Sequence, residues 1–410
     1  MIFKYDEKNK FKSMFNPKTG FYARTGILDE NGKDTGVDPF MASFPELLDV
    51  GVMQTCTCAN KCNVDCYQKA IDRKGKNMSL EDFESILKQC EGKCFQFALG
   101  GAGNVDDHED FEGLLKLCRK YRIVPNFTTS GILMNQYKAN LCKEYCGAVA
   151  VSQHSSLKKA IVIKEKKDLV EGELEGFNPY VETFTNLNDT LFNNNWYFGD
   201  SLEQGEEWVA KEVFYEDEDS YTYKAIKMLL DAGVKTSIHY VLGKKSIDEA
   251  IFRLKNNAFP KGINAVIFLL YKPVGLGKEE NVLNMNDENV KEFFTLIDKG
   301  HFNFKIGFDS CTAPGICNLS KEIMEESIDF CEGARFSAYI DANMNMMPCS
   351  FGNQDPSWHM NLKDYSIQEV WASIKAWLIS ESLWTTIAKV LLSLVLMFIS
   401  FKIINAIGRK

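Results

Sequence analysis

Several familiar catalytic and binding signatures are absent from this 410-residue sequence. It has no Gly-x-Ser-x-Gly nucleophile elbow, no phosphate-binding loop and no His-Glu-x-x-His motif, so the usual signs of serine hydrolases, nucleotide phosphate binding and zinc peptidases are missing. No clear cluster of lysine and arginine is present, and the formal net charge is -9. Because proteins that bind nucleic acids usually present a basic face, we expect no nucleic-acid partner.

The N-terminus also lacks the apolar core of a secretory signal. We therefore expect a cytoplasmic protein whose 13 cysteines are reduced and available to bind metal. The length and the 45% hydrophobic content fit a large globular domain with a smaller appended module.

Three of these cysteines are evenly spaced in one short segment. Cys58, Cys62 and Cys66 follow one another at four-residue steps. Three thiolates can hold three corners of a cubane iron–sulfur cluster and leave the fourth iron open to another ligand. The same segment could instead bind zinc, with Cys56 or a distant residue as the fourth ligand. The residues alone therefore indicate a metal site of one of these two kinds.

Helical and strand patterns alternate after this segment. The predicted helices are Ser79–Gln89, Asp110–Tyr121, Gln136–Tyr145, Tyr223–Ala232 and Ser246–Asn256. The predicted strands are Cys94–Leu99, Ile123–Thr128, Gly147–Ser152, Lys235–Leu242 and Ala265–Leu270. This alternation, with nearly continuous apolar strands, predicts parallel βαβ units in an α/β fold with helices covering the sheet. Ligands of such sheets gather in the turns that follow the strands.

Two segments depart from this alternation. Residues 157–220 form an acidic, asparagine-rich and aromatic insertion, either a solvated surface excursion or a lid over the substrate. The tail from Leu383 to Ile407 is almost wholly apolar. Its charge-free part, Val390–Phe401, is short enough for a buried helix, but the flanking lysines can snorkel and lengthen the span. This favours a transmembrane helix that would tether the protein to a membrane.

The cysteine segment resembles the opening loop of the radical S-adenosylmethionine superfamily. The usual form of that loop is Cys-x3-Cys-x2-aromatic-Cys. Here Cys58, Cys62 and Cys66 match with one extra residue, Asp65 stands before the last cysteine, and Tyr67 follows it. The resemblance implies that these cysteines bind a 4Fe-4S cluster whose free iron binds S-adenosylmethionine. Tyr67 would supply the aromatic packing at the cofactor.

Three turns after the predicted strands extend the resemblance. Leu99-Gly-Gly-Ala-Gly103 occupies the place of the Gly-Gly-Glu-Pro turn that binds the amino group of S-adenosylmethionine, which implies this backbone role for Gly100, Gly101 and Gly103. Thr128-Thr-Ser-Gly131, which contains Ser130, resembles the turn after the third strand. Ser152 would reach the ribose or the methionine carboxylate. Each of these hydroxyl residues also fits a plain strand-ending cap.

A second cysteine group resembles the β-hairpin of the SPASM and twitch extensions. The stretch Cys331–Cys349 carries an alternating strand pattern and a turn at Asn343-Met-Asn345. The resemblance implies that Cys311, Cys317, Cys331 and Cys349 bind an auxiliary 4Fe-4S cluster. The remaining cysteines of the predicted helices and strands, Cys90, Cys94, Cys118, Cys142 and Cys146, fit buried apolar positions. His239, inside a strand, fits a core histidine.

Together these features predict a partial (β/α)6 TIM-like barrel with a small C-terminal hairpin and helix module. The predicted division is an N-terminal extension (1–45), the barrel (46–305), the auxiliary-cluster module (306–375) and the apolar helix (380–410). The resemblance implies reductive cleavage of S-adenosylmethionine to a 5′-deoxyadenosyl radical, which abstracts hydrogen from a substrate, with peptides as the favoured class. It also implies an electron donor such as a flavodoxin or ferredoxin, and it assigns no catalytic side chain.

Two alternatives stay open from the sequence. The chain could be a zinc-binding structural or interaction protein. It could also be a membrane-tethered iron–sulfur protein that keeps the barrel without catalysing turnover.

Overall fold

The structure is a computed structural model that describes residues 1–62, 64–154, 156–165, 196–204, 208–312, 331–354 and 356–374. For residues 159–165, 196–204, 208–213, 353 and 354 it describes the backbone alone. The strands, in chain order, are β1 Ile2–Asp6, β2 Phe11–Phe15, β3 Tyr22–Arg24, β4 Leu47–Met53, β5 Gln96–Gly101, β6 Val124–Thr129, β7 Val149–Ser152, β8 Lys158–Glu165, β9 Trp196–Gln204, β10 Trp208–Tyr215, β11 Thr236–Leu242, β12 Ala265–Leu270, β13 Lys305–Phe308, β14 Ser337–Ile340, β15 Asn345–Met347 and β16 Met360–Asn361. The helices are α1 Leu80–Cys90, α2 Phe111–Lys120, α3 Gln136–Tyr145, α4 Tyr221–Asp231, α5 Ile247–Lys255 and α6 Glu288–Lys299.

A curved parallel sheet forms the body of the molecule. Its strands β4, β5, β6, β7, β11, β12 and β13 lie side by side in the order in which they occur along the chain, each parallel to the one before. This order never reverses, so the sheet winds in one direction, as in a barrel, and has no switch point of the doubly wound kind. The predicted α/β partial barrel is confirmed, and β13 continues the series.

The helices cover the outer face of this sheet because each has one apolar side. In α1, Phe83, Ile86, Leu87 and Cys90 are buried, and Ser79 caps the helix by accepting a hydrogen bond from the Asp82 amide at 3.1 Å. The same strands alternate, with buried apolar residues towards the helices and more exposed, often polar residues on the opposite side. We call this opposite side the inner face. It is the face that a barrel offers to a ligand.

The C-terminal module extends the barrel sheet at its other edge. β14 pairs in parallel with β4, and β14 and β15 form the predicted hairpin, in which Tyr339 lies opposite Met347. The turn is held by the Asp341 carboxylate, which accepts hydrogen bonds from the amides of Asn343 and Asn345 at 2.9 and 2.8 Å. Residues 367–374 are helical, and Trp371 in this segment is fully buried.

The N-terminal extension is an antiparallel sheet, β1-β2-β3, fastened to the module by Arg24. The Arg24 guanidinium donates to Glu332 at 2.7 Å and lies 3.7 Å from the centre of the Phe336 ring. Charge and stacking together favour arginine at such a position. The N-terminal strands thereby brace the region of the second cysteine group.

Within the predicted insertion 157–220, β8, β10 and β9 form a separate antiparallel sheet between β7 and α4. No helix in the described ranges is both long and apolar enough to cross a bilayer. The apolar tail, in which the sequence predicts a transmembrane helix, lies outside the described residues.

Candidate functional site

The first cysteine group sits in the loop that leaves β4 at the carboxyl edge of the sheet. A single 3₁₀ turn, Ala59–Lys61, separates the first two ligands, with Cys58 at its start and Cys62 at its end. Cys58 is 2% exposed, whereas Cys62 and Cys66 are half-buried, and all three are free thiols. The loop therefore presents thiols of different exposure from one short stretch of backbone.

The thiols of this loop interact electrostatically with one another. Burial first, and charge repulsion from the neighbouring Cys66, Cys56 and Cys58 second, raise the pKa of Cys62 to about 11. Burial also raises the pKa of Cys56, with Cys58 and Cys66 contributing. Thiols that disfavour one another's ionisation need a cation to become thiolates together, and a metal cluster supplies that charge. The loop therefore fits an iron–sulfur cluster.

Within the described part of the chain, no three His, Cys, Asp or Glu side chains converge closely enough to hold a single metal ion. A cubane cluster makes a different demand, because each protein thiolate binds a different iron. Its ligands surround the cluster and do not meet at one point.

The His154 side chain also approaches the cysteine loop. It follows β7, and its Nδ1 lies 3.5 Å from the Sγ of Cys62. Burial lowers the pKa of His154 to about 4, so the imidazole is neutral at pH 7. The sequence analysis did not identify this residue. Its only sequence signal is its place two residues beyond the predicted strand end at Ser152.

The glycine turn after β5 lies directly against the cysteine loop. A Cβ atom on Gly101 would stand 2.3 Å from the carbonyl oxygen of Met53, and one on Gly103 would stand 2.3 Å from that of Thr55. Gly101 also has a φ of +122°, which side chains rarely adopt. These two glycines let the turn pack on the cysteine loop.

Gly100 differs from its neighbours because a Cβ atom there would meet no atom within 4 Å. By the alternation of β5, Gly100 lies on the inner face with Ala98 and Gln96. A ligand can therefore approach the backbone of Gly100 closely. Of the three glycines predicted to bind the cofactor, Gly100 alone faces open space.

The turn after β6 is tied to the glycine turn. The Ser130 amide donates to the Asn104 side chain at 2.8 Å, and the Thr129 hydroxyl donates to Asp106 at 2.7 Å. Ser130 is 6% exposed, and its hydroxyl accepts from the Ile132 amide at 3.4 Å. In this structure Ser130 therefore acts as a local cap, and its predicted role at the cofactor stays a prediction.

Ser152 ends β7 on the inner face, paired in register with His239 of β11. The Nδ1 of His239 lies 3.1 Å from the Thr128 hydroxyl, and burial lowers the pKa of His239 to about 4. Sequence analysis had placed His239 in the core. The structure instead adds it, neutral, to the polar inner face beside Ser152.

The loop after β12 fixes the third cysteine. The Leu276 amide donates to the Cys66 carbonyl at 3.0 Å, and Gly275 packs on the Tyr67 carbonyl, which a Cβ atom would approach to 2.2 Å. The Tyr271 hydroxyl donates to the Asp65 carboxylate at 3.2 Å. Asp65, next to the third cysteine of the longer loop, is thus held by a partner from the opposite side of the barrel.

Three cysteines of the second group lie near one another, and their predicted role as cluster ligands stays a prediction. The Cys331 Sγ lies 3.6 Å, and the Cys349 Cβ 3.5 Å, from the position of a Cβ atom on Gly333. Burial raises the pKa of Cys311, Lys272 lowers it, and Cys331 is a further neighbour. Three of the four predicted auxiliary ligands are therefore neighbours, and Cys317 lies outside the described residues.

Tyr67 connects the two cysteine groups. Its ring centre lies 5.4 Å from that of Phe351, two residues beyond Cys349. The Tyr67 side chain is 41% exposed overall, but its hydroxyl end is desolvated, which raises the pKa of Tyr67. Lys272 lies 4.8 Å from the Phe351 ring centre and donates to Asp309 at 2.6 Å. The Tyr67 ring therefore packs on the C-terminal module, and its predicted packing at the cofactor stays a prediction.

No protein-family model matches the sequence, and none of the curated proteins matches it. Solved structures do match in fold. Streptococcus suis SuiB bound to S-adenosylmethionine superposes with a TM-score of 0.52 at 16% identity, covering 81% of this chain and 66% of SuiB. SuiB bound to its precursor peptide SuiA gives a TM-score of 0.51 at 18% identity, covering 81% and 65%.

The chain thus spans slightly less than two thirds of the length of SuiB. At such low identity the likeness concerns the fold alone. The predicted partial-barrel fold is therefore confirmed. The chain shares this fold with SuiB, whose structures contain S-adenosylmethionine or a precursor peptide.

Proposed function

We propose that this protein is a radical S-adenosylmethionine enzyme, with Cys58, Cys62 and Cys66 as the ligands of its 4Fe-4S cluster. The observation that carries the proposal is that the segment leading into these thiols packs on the glycine turn at Gly101 and Gly103, while a Cβ atom on Gly100 of the same turn would face open space. When bound, the cluster and S-adenosylmethionine supply one-electron chemistry that generates a carbon radical for hydrogen abstraction. The protein supplies positioning and exclusion of water.

The chain's own residues account for the positioning. Gly100 leaves room for the cofactor backbone contact, while Gly101 and Gly103 hold the turn against the cysteine loop. Ser152 and His239 offer neutral polar groups at the carboxyl ends of β7 and β11. Tyr67 packs towards the auxiliary module. In this proposal Cys311, Cys317, Cys331 and Cys349 bind an auxiliary cluster.

A peptide is the favoured substrate class. This rests on the fold likeness to SuiB, whose solved complex contains a precursor peptide. A flavodoxin or ferredoxin would donate the electron. The apolar tail, if it is a membrane helix, would hold this chemistry near a bilayer.

Spectroscopy of the cluster tests the proposal. Full-length protein is reconstituted with iron and sulfide without oxygen, and iron, sulfide and zinc are quantified. We expect iron and sulfide for two clusters, and a reduced-cluster electron paramagnetic resonance signal that changes when S-adenosylmethionine is added. Cys62→Ala should lose that change and keep the auxiliary iron. Colourless, zinc-loaded protein would instead support the zinc-binding alternative.

A cluster with four protein ligands is a second candidate, and the 3.5 Å separation of His154 and Cys62 favours it. A fourth ligand would leave no iron free, and the protein would bind a cluster without cleaving S-adenosylmethionine. His154→Ala separates the two candidates. If His154 closes the cluster, the variant alone should show the spectral response to S-adenosylmethionine; if the iron is open, the unchanged protein should already show it.

A further inference from the structure

An isolated carboxylate lies on the inner face of the barrel. In β4, Leu48, Val50 and Val52 are fully buried on the helix side, so Asp49 and Gly51 lie on the inner side. Asp49 is the one charged residue in this otherwise apolar strand. A charge at this position is costly to bury, so it calls for a reason.

The neighbours of Asp49 supply no positive charge. In register, Asp49 lies between Ala98 of β5 and Tyr339 of β14. Tyr67 and Tyr339 are the titratable groups that feel its charge. Among the described residues, no side chain hydrogen-bonds the carboxylate. Burial alone raises the pKa of Asp49 to about 6, and no lysine or arginine offsets the shift.

Several inner-face residues of β6, β7 and β11 are polar and neutral. Asn126 lies beyond Ala98 in register, and further round are Thr128, Ser152 and His239, which is neutral at pH 7. Gly51, on the same face two residues along the strand, makes room for the Tyr339 hydroxyl, which would lie 2.3 Å from a Cβ atom there. Asp49 is thus the single formal charge among these groups, and it lies about 13 Å along the strand from Met53, on which the glycine turn packs.

We propose that Asp49 binds a cationic group of the substrate, an ammonium or a guanidinium, inside the barrel. This proposal rests on the proposed function, because it takes the inner face as the substrate site. A substrate cation would provide the counter-charge that the protein leaves out. The hydrogen-bonded ion pair would form in the partly desolvated interior of the barrel, where it is stronger than in bulk water. Asp49 is then a specificity-determining residue that selects a basic side chain or amine.

The test compares a charged probe with its neutral analogue. Reconstituted full-length protein is titrated, above the pKa of Asp49, with N-acetyl-lysine methylamide and with N-acetyl-norleucine methylamide, and binding is followed by ligand-observed NMR. A charge-assisted hydrogen bond predicts that the lysine probe binds at least about tenfold more tightly. Asp49→Asn and the smaller Asp49→Ser should remove the preference. Asp364→Asn, which neutralises an exposed aspartate, should retain it.

Equal affinities for the two probes in the unchanged protein would overturn the role of Asp49, as would a preference that survives in both Asp49 variants. Circular dichroism of the variants verifies that they are folded. The binding measurement requires no cleavage of S-adenosylmethionine. Absence of a spectral response to S-adenosylmethionine therefore rejects the proposed function, whereas absence of a charge preference rejects only the assignment of Asp49.

Discussion

Replacing Asp49 by asparagine should stabilise the protein, and the gain should grow with pH. Burial raises the pKa of Asp49 to about 6 in the folded protein, while an aspartate in the unfolded chain has a pKa of about 3.9. Between these values the folded state binds more protons than the unfolded state. The free energy of unfolding therefore falls as the pH rises from about 4 to about 6. Above about pH 6 it stays at the lower value.

The size of the effect follows from the shift. Two pKa units correspond to about 3 kcal/mol of destabilisation by the ionised carboxylate. This is an upper limit, because Asp49 is only half-buried by its exposed area and water on the inner face screens its charge. Asparagine has nearly the same shape and cannot ionise. Asp49→Asn should therefore gain up to about 3 kcal/mol at neutral pH, with about half of that gain appearing between about pH 5 and pH 8.

Urea unfolding at several pH values measures this difference, with Asp364→Asn as the exposed control. The control should differ from the unchanged protein by a small amount that does not vary with pH. The reasoning fails if Asp49→Asn is no more stable at about pH 8, or if its gain is the same at every pH. If Asp49→Asn stabilises the protein, the carboxylate costs stability in the folded state. That cost is expected of a residue kept for binding.

Three further changes test other parts of the structure. Gly101→Ala should destabilise the protein in urea unfolding, because its Cβ would collide with Met53. Gly100→Ala should leave the stability unchanged, because a Cβ there meets no atom. The same Gly100→Ala variant should bind S-adenosylmethionine more weakly in equilibrium dialysis. Equal stability of these two variants would contradict the account of the turn. Glu216→Gln should cost about 2 kcal/mol or more in thermal and urea unfolding, because it removes one of the two carboxylates that pair with the fully buried Arg253, the other being Glu249. A loss below about 1 kcal/mol would refute that pairing.

Much of the barrel could be predicted from local pattern. The strand Ala265–Leu270 and the helix Gln136–Tyr145 have the predicted bounds. A short apolar run and a capped amphipathic segment can each be recognised from the local sequence alone. The parallel pairing of β14 with β4 could not be predicted, because these strands are nearly 290 residues apart in sequence. Such pairing depends on where the barrel leaves an edge open.

The residues of the site likewise divide into those that the local sequence predicts and those that it does not. The spacing of Cys58, Cys62 and Cys66 and the glycine turn are sequence signals, and the structure brings them into contact. His154 carries no such signal, because its meaning comes from the approach of β7 to the cysteine loop. Asp49 does carry a signal, as a lone charge in an apolar strand, but it lies within the strand and not in the following turn, where the fold predicts ligands.

Formation of 5′-deoxyadenosine tests the central claim most directly. Reconstituted full-length protein is mixed with S-adenosylmethionine and dithionite without oxygen, and the product is quantified by liquid chromatography and mass spectrometry. We expect 5′-deoxyadenosine and methionine from the unchanged protein and from Cys56→Ser, and none from Cys62→Ala. Product formation by Cys62→Ala at the unchanged rate, or no product from cluster-loaded unchanged protein, would contradict the assignment of this loop.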